Sequence, residues 1–341
     1  MLYHNDSIFH LKCGAVQFKY RLTGVEASVN YLTIVLLSLG FLPTVCLNLA
    51  AIYVFSRKEI RRQIPTNILI LATCVVDFLN GLVSIPLTIT QYSLVIFYQL
   101  QVCSLYIPML SSAQSLSWIC AVMAFMSSTD RYLAVFYPYF YESWCMNNRW
   151  IYHVLCVLTC VFGISIVFGS FHAVGFQPIL YLTGSIPVII IISYYTHLRI
   201  SCAVSRIHKH VQRISVHQKR ESEQQVSFHG NAAVITRITS GNTRARKPMV
   251  NNKAQRVTFL MLCVLSLSYT PYFIVILTWN IRWVNYKQNP TATQYTWASA
   301  SATLVLYKSC FDPFIYLYTM PKVRKKILLI LRLKKRQVSM G

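Results

Sequence analysis

Acidic residues are scarce in this 341-residue chain: Asp and Glu together number 9 against 32 Lys and Arg, and charged residues of both signs amount to only 12%. Globular domains in water carry roughly twice that share of charge, about 25%, so a soluble domain of this length is excluded. No cluster of metal-ligating side chains, no nucleophile beside a base and no glycine-rich loop fit to cradle a phosphate stands out among the residues. Enzymatic activity and a resident cofactor or metal are therefore not expected. No internal repeat is visible, and residues 1–30 lack an apolar centre, so a cleavable signal peptide is not expected either.

What the chain has instead is apolar sequence in long runs. Hydrophobic residues make up 55% and mean hydropathy is +0.46. About 20 mainly apolar residues cross a bilayer core as a helix, and seven runs have that length: 31–55, 66–90, 104–129, 150–170, 179–198, 254–278 and 295–318. The predicted fold class is an all-α membrane protein, a seven-transmembrane helix bundle with a short amphipathic eighth helix. Its parts are an extracellular segment 1–30, a membrane domain 31–320 and a tail 321–341.

The net charge of +23 is a signal of topology rather than of nucleic acid, since seven spans leave no room for a recognition fold. With the amino terminus outside, only Lys12, Lys19, Arg21, Arg282 and Lys287 of the 32 basic residues face outward, and Lys308 alone lies within a span. The rest fall on the cytoplasmic side, as the positive-inside rule requires. Asn5 opens the sequon Asn5-Asp6-Ser7 on the outer side, a candidate glycosylation site.

Residues 206–252 are polar and poor in aromatics and are expected to be a disordered cytoplasmic loop between spans five and six. Ser215, Ser222, Thr239 and Ser240 each follow a basic residue closely, a pattern kinases use. In the tail, Pro321 suits a helix start. Val323, Ile327, Leu328 and Leu331 alternate there with basic residues, the pattern of a helix lying on anionic membrane lipids.

The third span ends in Asp130-Arg131-Tyr132. A charge at the centre of a membrane helix costs roughly 2.5–3.5 kcal/mol, so charge at a helix end calls for water or a partner. Other marks stand in order on their own spans. Asn48 is in the first; Leu71-Ala72 and Asp77 are in the second; Ala134-Val135 and Pro138 follow the third. Pro187 with Tyr195 marks the fifth, Pro271 the sixth, and Asp312-Pro313-Phe314-Ile315-Tyr316 the seventh.

From about residue 31 to 335 this pattern resembles the rhodopsin-like (class A) G protein-coupled receptors. The resemblance implies a plasma-membrane receptor that turns binding of an extracellular ligand into nucleotide exchange on a cytoplasmic heterotrimeric G protein. Arrestin and receptor kinases would act through the third cytoplasmic loop. It implies that Arg131 pairs with Asp130 at rest and then extends toward the G protein, with Tyr132 completing the motif. Tyr195 and Tyr316 would swing inward to hold the open state, and Pro187, Pro271 and Pro313 would serve as helix hinges.

Several positions depart from the family pattern. The sixth-span tryptophan is Tyr269 here, the fourth-span tryptophan position is Leu158, and the position of a locking glutamate is Asn251. The family's disulfide to the second outer loop lacks its partner, because residues 170–180 contain no cysteine. Cys13 and Cys103 are the outer pairing that remains.

The seventh span places Lys308 and Asp312 four residues apart, on one helical face. In the family, Asp77 and the position of Asp312 border a cavity that takes a sodium ion. The expectation here is that Lys308 replaces that ion and bridges Asp77 and Asp312, completing a core polar cluster with Asn48. An opsin is excluded by spacing. Opsins carry the Schiff-base lysine at the position of Leu306, and two residues rotate a side chain by about 200° on an α-helix.

Where amine receptors hold an aspartate, this chain has Ala113. The pocket implied by family position contains Asn80, Ala113, Gln114, Ser117, Thr183, Tyr269, Tyr272 and Phe273, with Ala302 and Leu306 from the seventh span. Aromatic surface with neutral hydrogen-bonding groups suits a neutral or lipid-like ligand, or a peptide held at the rim by Arg282 or Lys287, better than a cationic amine. A multi-pass transporter or channel is the rival from another class, though the inverted repeats and interrupted helices of transporters are not visible. A receptor fold that only scavenges ligand is a third reading.

Overall fold

A computed structural model describes residues 9–13, 16–20, 24–61, 64–98, 103–173, 184–207, 213, 252–286, 292–321, 323–327 and 329. Two strands, β1 (Phe9–Cys13) and β2 (Val16–Tyr20), pair antiparallel with Phe9 opposite Tyr20 and Cys13 opposite Val16. Seven long helices follow: α1 (Gly24–Ser56), α2 (Thr66–Tyr98), α3 (Cys103–Phe136), α4 (Trp150–Ala173), α5 (Gly184–Ile207), α6 (Asn252–Tyr286) and α7 (Ala292–Thr319). The bundle has an amino-terminal face, where α1, α3, α5 and α7 begin, and an opposite face, where they end.

α1, α2, α3, α5 and α6 are long and apolar enough to cross a membrane by length and composition. The described part of α4 meets the short segment Pro138–Cys145 at 84°. α7 is more polar because it carries Lys308 and Asp312, both buried by neighbouring helices.

The bundle is polar within and apolar outside, as expected when the solvent is lipid. On α1 the inward residues include Glu26, Asn30, Thr33, Leu37, Thr44 and Asn48, at helical spacing. Leu32, Leu39, Leu42 and Leu49 face outward. The helix itself begins at Gly24, seven residues before the apolar run that starts at residue 31. Glu26 and Asn30 lower the local hydropathy yet face the bundle, so hydropathy misses the first two turns.

Close approach sets some crossings. A Cβ on Gly163 of α4 would lie 2.9 Å from Ile119 Cγ1 of α3, so only glycine leaves room there. α2 contains a π-helical turn at Asn80–Ser84 that the sequence reading did not anticipate. α5, α6 and α7 run on through Pro187, Pro271 and Pro313.

Near the opposite face Val54, Phe55, Ile70, Met261 and Tyr316 form an apolar cluster, which Val323 and Ile327 complete. Residues 323–327 are helical. Two of the tail's four alternating apolar side chains therefore fill a protein core rather than facing lipid, whereas Leu328 and Leu331 lie outside the described residues. Lys326 Nζ donates to Glu59 Oε2 at 2.6 Å, tying this segment to the turn after α1.

Candidate functional site

Toward the opposite face, Asp130 and Arg131 are 2% and 4% exposed. Arg131 Nε donates to Asp130 Oδ2 at 3.1 Å, and a second guanidinium nitrogen pairs with the same oxygen. Around this pair stand partners that motif reading missed. Thr66 of α2 donates its hydroxyl to Asp130 Oδ2, Tyr152 of α4 donates to Oδ1 at 2.6 Å, and Arg131 Nη2 donates to the Tyr141 hydroxyl at 2.9 Å. Tyr141 lies in the π-helical turn Tyr141–Cys145 between α3 and α4, where burial raises the pKa of its phenol. Spacing alone gave no sign of these contacts, since they join three elements distant in sequence. Tyr132 takes no part and stacks on Phe136, with ring centroids 4.5 Å apart.

The two tyrosines expected as partners in the open state are apart here. Tyr195 is 56% exposed on α5, and its hydroxyl accepts from Arg199 at 3.0 Å. Tyr316 is fully buried and edge-on to Phe55. Asn251 lies outside the described residues. Between α5 and α6, His197, Ser201, Gln255, Arg256 and Phe259 line an open cleft of ≈ 480 Å³.

At mid-depth the structure brings together the core residues read from the sequence. Lys308 is buried between the two carboxylates: Nζ lies 3.3 Å from Asp77 Oδ1 and forms an ion pair with Asp312 Oδ2 one turn on. Ser309, not anticipated, donates to Asp77 Oδ1 at 2.7 Å and accepts from Asn80 Nδ2 at 2.8 Å. Asn48 Nδ2 donates to the Ser309 carbonyl at 2.8 Å and so ties α1 to α7. Two carboxylates share one ammonium, and Asp77 Oδ2 and Asp312 Oδ1 have no hydrogen-bond partner among the described residues. Breaking such a buried pair from one side typically costs about 3–5 kcal/mol.

Toward the amino-terminal face a cavity of ≈ 90 Å³ lies between α2, α3, α6 and α7. Five of the eight pocket residues read from the sequence line it: Ala113, Gln114, Ser117, Tyr269 and Tyr272, joined by Ala302 and Leu306. Gln114 Nε2 donates to the Tyr272 hydroxyl, and the Tyr269 hydroxyl donates to Gln114 Oε1 at 3.4 Å. Asn80 is not in the wall, because its side chain is bonded to Ser309. Phe273 is half-buried and not in the wall either, and Thr183 lies outside the described residues. Helix rotation places Tyr92, Tyr106 and Ser299 in the wall in addition. None of the described lining residues is charged.

A carboxylate overlooked by the sequence reading, Glu26, is 5% exposed in the first turn of α1. Asn5 lies outside the described residues, as do the side chains of Cys13 and Cys103 and nearly all of the loop 206–252.

The chain aligns over 111 residues with human G-protein coupled receptor 183 at 29% identity, a stretch that covers 31% of this chain and 30% of that one. The fold matches the crystal structure of squid rhodopsin with a TM-score of 0.62 at 16% identity, over 90% of this chain and 86% of the squid chain. The family model of the seven-transmembrane receptors of the rhodopsin family matches residues 47–316. Most of the bundle falls within that match, and the chain belongs to the rhodopsin family of seven-transmembrane receptors.

Proposed function

We propose that this receptor sits in the plasma membrane with its amino-terminal face outside, binds a ligand in the cavity between α2, α3, α6 and α7, and couples to a heterotrimeric G protein at the opposite face. The observation that carries the reading is the caged pair Asp130–Arg131. A buried guanidinium held by one carboxylate and one phenol is a switch with a defined resting position, and that carboxylate is itself held from two other helices by Thr66 and Tyr152. The cleft between α5 and α6 beside it is where a partner's helix would enter. The distribution of Lys and Arg supports the orientation. The uncharged cavity supports a neutral ligand over a cationic amine. Phosphorylation of the third loop would bring in receptor kinases and arrestin, and the basic tail would hold anionic lipids.

Lys308 supplies the positive charge between Asp77 and Asp312 that a sodium ion supplies elsewhere in the family. The covalent ammonium makes the resting state independent of sodium.

The test is guanine nucleotide exchange in membranes expressing the chain, without ligand, across a panel of G proteins and against Arg131→Ala. Basal exchange that falls in the variant supports the reading and identifies the partner. Substrate flux through the chain without any exchange would overturn it.

A further inference from the structure

Three helices place buried polar side chains in one layer near the amino-terminal face. Beneath the layer, Leu37 of α1, Ile85 of α2 and Leu306 of α7 pack as an apolar plate. Asn30 lies seven residues beyond the plate on α1, Gln91 six beyond it on α2, and Ser299 seven beyond it on α7. At a rise of about 1.5 Å per residue all three stand about 9–10.5 Å above the plate. They face inward, exposed by 1%, 1% and 3%. Between layer and plate, Thr303 donates to Thr33 at 3.3 Å, so α1 and α7 are in register there.

The amides of Asn30 and Gln91 are anomalous. In each, both the oxygen and the nitrogen are buried and lack any hydrogen-bond partner among the described residues. A buried unpaired polar group costs roughly 1–3 kcal/mol, and leucine at these positions would avoid that cost. Other polar side chains on the same faces are satisfied: the Thr88 hydroxyl bonds to the Ser84 carbonyl, and Thr33 bonds to Thr303. The layer adjoins the cavity, since Thr88, one turn from Gln91, and Ser299 both line it.

Charge narrows what fits. Glu26, one turn beyond Asn30 on the same face, opposes an anion, and no lysine or arginine is among the described lining residues. Glu26 already has an interaction of its own, so an ammonium is not offered a free counter-charge.

We propose that Asn30 and Gln91 form a head-group subsite for an uncharged ligand group that both donates and accepts hydrogen bonds, a primary amide or a hydroxyl, carried on a compact apolar body that enters the cavity. The inference rests on the cavity being the ligand site.

The test uses the purified full-length receptor in lipid nanodiscs without G protein, so its outcome does not depend on coupling. Three probes share one body: hydrocinnamamide, hydrocinnamyl alcohol and hydrocinnamate. Saturation-transfer NMR is expected to show binding of the amide and the alcohol and not of the carboxylate. Asn30→Leu and Gln91→Leu are each expected to weaken amide binding roughly tenfold, the loss of about one hydrogen bond. Both variants are also expected to keep or raise the thermal midpoint of the unliganded receptor, a readout that polar groups with a purely structural role would move downward.

Equal binding of all three probes, binding of none, or a lowered midpoint in both variants with amide binding unchanged would overturn the subsite. Ala113→Trp, which fills the cavity, separates the two readings. Amide binding lost in Ala113→Trp and retained in both leucine variants refutes the subsite alone. Binding retained in Ala113→Trp refutes the cavity as the ligand site and the subsite with it.

Discussion

Tyr152 of α4 donates its hydroxyl to Asp130 Oδ1 of α3 at 2.6 Å, on the carboxylate oxygen opposite the one that holds Arg131. One phenol thus fixes the orientation of the carboxylate that restrains the arginine. A hydrogen bond to a charged group contributes about 1.5–3 kcal/mol. Tyr152→Phe is expected to raise basal nucleotide exchange roughly tenfold, because 1.4 kcal/mol is a tenfold change in an equilibrium. An Asp130→Asn background should abolish most of the increment. An unchanged exchange rate in Tyr152→Phe would show that the bond does not restrain the switch.

Removing the lysine from the core separates its two roles. Lys308→Ala leaves Asp77 and Asp312 buried without their shared cation, an expected loss of about 3–5 kcal/mol of stability. Sodium chloride should recover part of that loss in the variant's thermal midpoint and alter its basal exchange, while the parent chain stays insensitive to replacing sodium with a bulky organic cation. Equal sensitivity of the two proteins would rule out substitution of the ion.

Helix contact at Gly163 is tight enough to test by overpacking. The added methyl of Gly163→Ala would stand 2.9 Å from Ile119 Cγ1. Overpacking of this kind costs about 1–3 kcal/mol. The thermal midpoint in nanodiscs should fall accordingly, and Gly163→Ala combined with Ile119→Ala should lower it by less than the sum of the two single effects. Strictly additive effects would show that α3 and α4 do not meet there.

The tail contact should respond to pH with a definite sign. A hydrogen bond from Lys326, followed by the charge of that ammonium, lowers the pKa of Glu59. A carboxylate whose folded pKa is depressed contributes fully above its unfolded value, about 4.3, and loses the contribution as pH falls through the folded pKa. A fluorescence distance between labels near residues 59 and 326 should therefore lengthen under acid in the parent chain. In Glu59→Gln it should be independent of pH, and identical profiles would place the contact elsewhere.

The seven-helix architecture was legible because lipid imposes a length and an apolar composition on most spans, both one-dimensional quantities, α7 departing from that composition by carrying Lys308 and Asp312 within the bundle. The pair Lys308–Asp312 was legible too, since residues four apart share one helical face, whereas the pairing of the adjacent Asp130 and Arg131 was expected only from the family resemblance. Glu26 and Asn30 were missed for the converse reason: a polar residue that faces the bundle lowers hydropathy as much as one facing lipid would. Thr66, Tyr141 and Tyr152 around Asp130, and Ser309 between Asp77 and Asn80, depend on how helices far apart in sequence are rotated and translated against each other. Local sequence period carries no measure of that rotation, which is set by side-chain packing at crossings such as Gly163 on Ile119 and by the π-helical turn Asn80–Ser84. The chain's order of spans and the one-turn spacing of Lys308 and Asp312 were thus determined by sequence, and the meeting of side chains between helices was decided only by the tertiary packing.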